Sequence, residues 1–367
     1  MSLHSPDLHS LTDPHDHTTS PDPLTALGFH AGPWAALLHE IEPAAIPARV
    51  IRADRGAATA MTVTDPVRIT WHPASAPPIT GDWVALDSDN RLLGIAPRRS
   101  AITRPAHHRG VRDEDSDQVL AANADLVGVV IGLDGEPNSR RLERGLVMAY
   151  ESGATPLVIL TKADLAEDLQ RSLDQARSHC VGVDVVVACA IDGQGVADLR
   201  QRLAPDRTLA MLGASGTGKS SLTNAMMGEE VLSVGAVRAV DGKGRHTTSH
   251  REMVILPDGG AVLDTPGLRT LSLGQTGQGL DQAFPEIDQL AGDCRFADCR
   301  HDVEPGCAVL LALDQSSLTA DRYEGWRRIR AESEAAALRA DKARYRKVQR
   351  AWGAAGRQAQ ALAARKR

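Results

Sequence analysis

Nowhere in the 367 residues is there a run of about 18 apolar residues, the length a helix needs to span a bilayer, so no membrane-spanning helix is expected. The first two dozen residues, MSLHSPDLHSLTDPHDHTTSPDPL, also lack the basic start and apolar stretch of a signal peptide, and a cytoplasmic chain without a membrane partner is the expectation. That segment is dominated by Asp, His, Ser, Thr and Pro. It can bury too little to offset the entropy of ordering, and disorder is expected over 1–24, with its histidines merely solvated. Cysteine is scarce and odd in number, five in all, which argues against a disulfide framework. Acidic residues are missing altogether from 342 to 367, where nine lysines and arginines sit, so a protein of net charge −6 carries a local basic tail.

What is present divides into stretches of different periodicity. Between Ala48 and Pro105 short alternating runs (ARVIRADRG, ATAMTVT, VRITWH, GDWVALD, RLLGIAPR) are punctuated by Gly, Pro, Asp and Asn, the pattern of a small antiparallel barrel of the OB type. The polar, Arg-rich text from 97 to 118 reads as a linker or basic loop. From about Ala122 continuous apolar runs (DLVGVVIGL, TPLVIL, VDVVVACA, TLAMLG) alternate with amphipathic helical text, and REMVIL–PDGG–AVLD forms a hairpin, giving a six-stranded α/β sheet. After Leu313 the composition is helical.

The chemistry concentrates in the α/β part. Gly213, Ala214, Ser215, Gly216, Thr217, Gly218, Lys219 and Ser220, followed by Ser221, fit G-x-x-x-x-G-K-[ST] between an apolar strand and a helix. Backbone amides of such a loop form an anion nest, the lysine reaches the β and γ oxygens of a nucleoside triphosphate, and the Ser220 hydroxyl suits Mg²⁺. In LDTPG a strand ends at Asp264, a metal-holding acid, with Gly267 three residues on to sense the γ-phosphate. Between them, GKGRHTTSH offers Thr247, Thr248 and Ser249 as switch hydroxyls, one of which closes onto Mg²⁺ and the γ-phosphate; spacing does not decide which, and Thr248, with Thr247 as alternative, is taken as the candidate.

Earlier in the chain, ILTKADL ends an apolar run in Thr161, Lys162, Ala163 and Asp164. An Asp there accepts two hydrogen bonds from guanine N1 and N2, which adenine does not supply, while the lysine stem packs along the base. Cys189 and Ala190 resemble a degraded Ser-Ala base loop. This base motif precedes the phosphate loop, the reverse of the usual GTPase order, and rotating that order reproduces the series seen: a circular permutation. Downstream, Cys294, Cys299, His301 and Cys307 form C-x₄-C-x-H-x₅-C, a closed tetrahedral donor set for one structural Zn²⁺.

The barrel with GDWV, then TKADL, GASGTGKSSL, GRHTTSHRE, LDTPGL and CRFADCRHDVEPGCAV, in that order, resembles the RsgA family of circularly permuted, small ribosomal subunit-dependent GTPases over about residues 25–350. The resemblance implies an N-terminal OB barrel, a permuted GTPase domain and a C-terminal zinc domain. It also implies hydrolysis of GTP, with Mg²⁺, stimulated by the small subunit during its late maturation. The expected units are a tail (1–24), barrel with lead-in (25–105), linker (106–117), GTPase domain (118–285), zinc-binding helical domain (286–350) and basic tail (351–367). A monomer that exchanges GTP for GDP and contacts 16S rRNA is expected. By resemblance His246 positions the attacking water, since Leu268 stands where other GTPases place a glutamine. Two departures stand out: Thr161 replaces an asparagine that braces the loop, implying lowered guanine affinity, and Gly216 gives no support for a potassium ligand. The competing readings are a nucleotide-dependent RNA-binding switch or chaperone with incidental hydrolysis, and an ATP-using small-molecule kinase, which Asp164 disfavours.

Overall fold

The computed structural model describes residues 22–29, 33–54, 56–104, 118–232, 251–264, 278–338 and 341. It opens with a short helix α1 (Pro23–Ala26), started by Asp22, whose carboxylate accepts from the Thr25 amide at 2.9 Å and the Thr25 hydroxyl at 2.6 Å. Leu24 and Leu27 are fully buried. The expectation of disorder through residue 24 is therefore corrected at its end: an Asp-Pro helix start followed by a leucine that reaches the core orders Pro23 and Leu24, while residues 1–21 lie outside the described residues. Helix α2 (Trp34–Ile41) follows, its Trp34 stacked on Trp83 with ring centroids 5.7 Å apart.

Five short strands come next: β1 (Ile46–Asp54), β2 (Ala57–Met61), β3 (Pro66–Ile69), β4 (Trp83–Leu86) and β5 (Leu92–Ile95). β1 pairs antiparallel with β2 and β4, β2 with β3, and β4 with β5. A parallel bridge between Thr70 and Arg91, just beyond β3 and before β5, joins the two ends of this series. Alternation puts Ala48, Val50, Ala58, Ala60, Ile69, Val84 and Leu86 into one shared apolar centre. Gly81, at φ +97°, is required where the chain passes against the next unit, since a Cβ there would lie 1.9 Å from the Ala122 carbonyl oxygen.

The linker reading of 97–118 needs correction. Ala101–Arg104 is a strand, β6, paired antiparallel with β7 (Gln118–Ala122). Ile102, Leu120 and Ala121 are buried, and the two apolar residues Ala101 and Ile102 were enough to seat β6 against a partner too far along the chain for periodicity to reveal. Residues 105–117, with the expected linker, lie outside the described residues.

The α/β unit contains β8 (Leu126–Gly132), α3 (Ser139–Glu151), β9 (Thr155–Thr161), α4 (Leu169–Ser178), β10 (Val185–Val187), α5 (Val196–Leu203), β11 (Thr208–Leu212), α6 (Lys219–Met227), β12 (Arg251–Ile255) and β13 (Ala261–Asp264). The sheet order is β10-β9-β8-β11-β13-β12, parallel except for β12, which returns antiparallel to β13. Helices cover both faces, which is why the strands read as unbroken apolar runs. Leu142, Leu146 and Val147 of α3 pack on one face, and Leu199, Leu203, Leu222 and Met226 of α5 and α6 on the other. α3 approaches so closely that a Cβ on Gly145 would sit 2.5 Å from Val129 Cγ1.

Two buried arginines join the units. Arg49 of β1, 2% exposed, donates to the Leu27 carbonyl, to Thr208 Oγ1 at 2.8 Å and to the Asn123 carbonyl at 2.7 Å, and lies over Trp83. Burial pulls its pKa down to about 10 against the pull of Asp125 and Asp82. The sheet itself is continuous here, because β1 pairs with β12 at Arg52 opposite Glu252 and Ala53 opposite Arg251. On the far side, α7 (Gln278–Ala283) packs against α3, α8 (Pro285–Ala291) against α7 and α9 (Ala308–Asp314) against α8, while a helix over 320–338 reaches α3 through its arginines. Arg322 of that last helix reaches Glu143 of α3 at 3.2 Å, in a cluster shared with His179, Glu286 and Arg328.

Candidate nucleotide site and metal cluster

Strand β11 is buried along its whole length and delivers Gly213 at its C-terminal end, between the ends of β8 and β13. Gly216 and Gly218 take φ +80° and +86°, conformations that turn successive amides to one side of the loop. Lys219 Nζ donates to the Gly213 carbonyl at 2.9 Å and the Ala214 carbonyl at 2.8 Å, so the lysine lies across the loop. Thr217 Oγ1 closes the turn onto the Ala214 carbonyl at 2.9 Å. Ser215 and Gly216 are exposed, while Ser220 and Ser221 follow Lys219 in the first turn of α6.

Two strands away, β9 ends at Thr161, 3% exposed, whose hydroxyl donates to the Thr217 carbonyl at 2.6 Å. The Ile131 carbonyl lies farther off, at 3.3 Å. A brace between base motif and phosphate loop is thus present, made by a hydroxyl where the sequence comparison counted it lost with the asparagine amide. Lys162 adopts φ +58°, and its ammonium pairs with Asp134 Oδ2 at 2.6 Å, holding that carboxyl below the usual carboxylate range. A single 3₁₀ turn, Ala163–Leu165, presents Asp164. Cys189 Sγ donates to Asp164 Oδ1 at 3.3 Å, and Ala190 follows it in a loop closed by the Cys189 amide on the Gln194 carbonyl. Gly195 is obligatory in that loop, since a Cβ would fall 2.0 Å from the Val187 carbonyl oxygen.

Thr161 and Thr217, 56 positions apart, therefore meet at the C-terminal ends of parallel strands of one sheet, with β8 between β9 and β11, the edge where open α/β sheets hold ligands. Asp264 is the last residue of β13, opposite Glu252 of β12 and on the strand next to β11. Gly267, His246, Thr247, Thr248, Ser249 and Leu268 lie outside the described residues. Asp134 was not among the residues the sequence singled out. Its only signal was a turn, DGEP, after an apolar strand, and nothing local places that turn beside Lys162.

The second site is the group Cys294, Cys299, His301 and Cys307, whose ligand atoms all lie within 4.8 Å of one another. Cys294 Sγ is 3.8 Å from Cys307 Sγ, and His301 Nδ1 is 3.5 Å from Cys294 Sγ and 3.4 Å from Cys307 Sγ. A tetrahedral ion with Zn–S near 2.3 Å and Zn–N near 2.05 Å requires edges of about 3.8 Å and about 3.6 Å, so the donor set fits one metal ion. His301 is held at φ +60° with its carbonyl accepting from Tyr323. Glu304 ties the loop by accepting from the amides of Arg300, Asp302 and Val303, contacts that pull its pKa down to about 2.

Comparison with known proteins agrees with this geometry. Residues 95–274 match the family model for RsgA GTPase. The chain is 40% identical over 328 residues to the small ribosomal subunit biogenesis GTPase RsgA of Streptomyces coelicolor, covering 86% of this chain and 88% of that protein. It is 38% identical to the same-named protein of Streptomyces avermitilis, covering 96% and 97%, and 41% identical to that of Xylella fastidiosa, covering 82% and 91%. Among solved structures, YjeQ from Thermotoga maritima superposes with a TM-score of 0.61 at 23% identity, over 78% of this chain and 98% of that one. YloQ, described as a circularly permuted GTPase, superposes at 0.58 and 23% identity, over 79% and 96%. With its base motif ahead of its phosphate loop and relatives of this identity matched along most of their length, the chain belongs to the RsgA family of circularly permuted GTPases.

Proposed function

We propose that the protein hydrolyses GTP in the late maturation of the small ribosomal subunit, binding the subunit through its 16S rRNA. The observation that carries this reading is the Thr161 to Thr217 hydrogen bond, which ties a guanine-reading strand end to a phosphate loop that follows it in the chain. In this reading Asp164 accepts from guanine N1 and N2, the Lys162 stem lies along the base, and Cys189 and Ala190 line its edge. Amides from Gly213 to Ser221 and the Lys219 ammonium would hold the phosphates, Ser220 and Asp264 would hold Mg²⁺, which would neutralise phosphate charge, and Gly267 would sense the γ-phosphate. Thr248, with Thr247 as alternative, would offer Mg²⁺ a further hydroxyl, and His246 would position the attacking water.

Zn²⁺ in the Cys294, Cys299, His301 and Cys307 set is structural, because four protein donors leave no open position. The strand ring β1-β2-β3-β5-β4, with its parallel Thr70 to Arg91 bridge, supports reading the N-terminal unit as an OB barrel, a fold whose open face suits single-stranded RNA. The working division is barrel 25–105, GTPase 118–285 and zinc domain 286–350, in a cytoplasmic monomer.

The test is GTP turnover with and without purified small subunits, in wild type, Lys219→Ala and His246→Ala, with ATP as competitor. Subunits should accelerate wild-type turnover, Lys219→Ala should abolish it, and His246→Ala should lose the stimulation while still binding GDP. Subunits that tighten binding without raising turnover would favour an RNA-binding switch, and equal affinity for ATP would remove the guanine reading.

A further inference from the structure

Asp134 belongs to none of the nucleotide motifs, yet it makes a short ion pair with the base motif: its Oδ2 lies 2.6 Å from Lys162 Nζ. Lys162 is 27% exposed at its side chain and Asp134 is 53% exposed, so the pair sits at the rim with the lysine stem held inward. A lysine stem has four rotatable bonds, and a free one would sample many directions before a purine reached it. The pair selects one.

A second observation points the same way. The residue at the end of β8 is Gly132, and a Cβ there would lie 2.8 Å from Asp134 Oδ1 and 3.5 Å from Lys162 Cδ. Gly132 is an ordinary strand residue without a left-handed backbone, so its lack of a side chain is used for space rather than for conformation. That space is occupied by the two partners of the ion pair. The left-handed backbone of Lys162, at φ +58°, aims the stem across β8 toward this gap.

We propose that Asp134 is the positioning residue of the guanine site. It fixes the head of Lys162 so that the stem forms a pre-set apolar floor for the purine ring, and Gly132 provides the clearance. Asp134 touches neither base nor phosphate in this assignment and acts through Lys162 alone. The proposal rests on the guanine reading of Asp164 and Lys162. Because a stem contacts any purine, Asp134 contributes to affinity for guanine and hypoxanthine nucleotides alike, whereas Asp164 contributes to the difference between guanine and adenine.

The test is equilibrium binding of GDP, IDP and ADP to the full chain for wild type, Asp134→Ala, Lys162→Met, the double variant and Gly132→Ala, with subunit-stimulated kcat and KM. Asp134→Ala should weaken GDP and IDP by the same factor, about threefold to fivefold, the upper end for a rim ion pair, with kcat at saturating GTP unchanged. Once Lys162→Met is present, Asp134→Ala should cost nothing further, and Gly132→Ala should reproduce its loss. Additive effects of the two substitutions, a fall in kcat, or unchanged GDP affinity in Asp134→Ala would overturn the assignment. Wild type that binds ADP as well as GDP would instead remove the guanine reading, and the assignment with it. The exposed position of Asp134 leaves folding intact, which thermal unfolding of the same samples verifies.

Discussion

Replacing Arg322 by methionine should loosen the region that carries the Cys294–Cys307 cluster from the α/β unit. Arg322 is 4% exposed and donates across that boundary to Glu143 and to the His179 carbonyl, both at 3.2 Å, and within its own region to Glu286 at 2.7 Å and the Ala283 carbonyl at 2.9 Å. Its guanidinium also lies 4.0 Å from the Phe284 ring centroid. Methionine keeps the stem's volume but strands Glu143, whose side chain is 1% exposed. Breaking one partner of a buried pair costs about 3–5 kcal/mol, because the charge left behind has no solvent. Arg328 at 3.3 Å and His179 at 2.9 Å remain beside Glu143, which places the loss near the lower figure, about 3 kcal/mol. Urea unfolding should show this as an earlier transition of the region 278–338, and amide exchange along 320–338 should accelerate. Glu143→Gln combined with Arg322→Met should lose less than the two single losses added together, by at least about 1 kcal/mol. An Arg322→Met protein within about 1 kcal/mol of wild type, or strict additivity with Glu143→Gln, would refute the idea that this charge cluster holds the two regions together.

Three further outcomes follow from the site. Thr161→Val, which keeps shape and removes the hydroxyl, should weaken GDP binding about fivefold to thirtyfold, the worth of one short hydrogen bond plus an orphaned Thr217 carbonyl, while Thr161→Ser should bind as wild type in the same titration. Asp164→Ala should erase most of the preference for GDP over ADP, at least about a hundredfold for two charge-assisted hydrogen bonds, measured by competition. Metal analysis of the purified protein should find one zinc per chain; Cys299→Ser should lower that content, and a chelator should lower the unfolding temperature of the 294–307 loop region without changing GDP affinity.

The strands and the two nucleotide motifs could be read from the chain because each carries its own local signal, a continuous apolar run ending in a loop of defined chemistry. The cysteine cluster was equally plain, since ligand type and spacing are themselves the information. What escaped was long-range. Arg49 and Glu143 look like surface charges in an alternating strand and an amphipathic helix, and only the packing of β1 on Thr208 and of 320–338 on α3 buries them. β6 was passed over because its partner β7 lies beyond a polar stretch, and Pro23 and Leu24 because a tail of low complexity runs up to them. Asp134 is the same failure at the site itself: parallel strands bring its turn beside Lys162, and no window of sequence contains both.

The backbone pairing of β1 with β12 also determines what the N-terminal unit can be removed from. β12 has β13 on one side and β1 on the other, so a chain cut before β6 would leave β12 as an open edge along Arg251 and Glu252. The same cut would take away Arg49, leaving Thr208 at the root of the phosphate-loop strand without its donor. An isolated α/β unit would therefore be prone to self-association through that edge, and loss of turnover in such a fragment would report a broken sheet as much as a missing RNA contact.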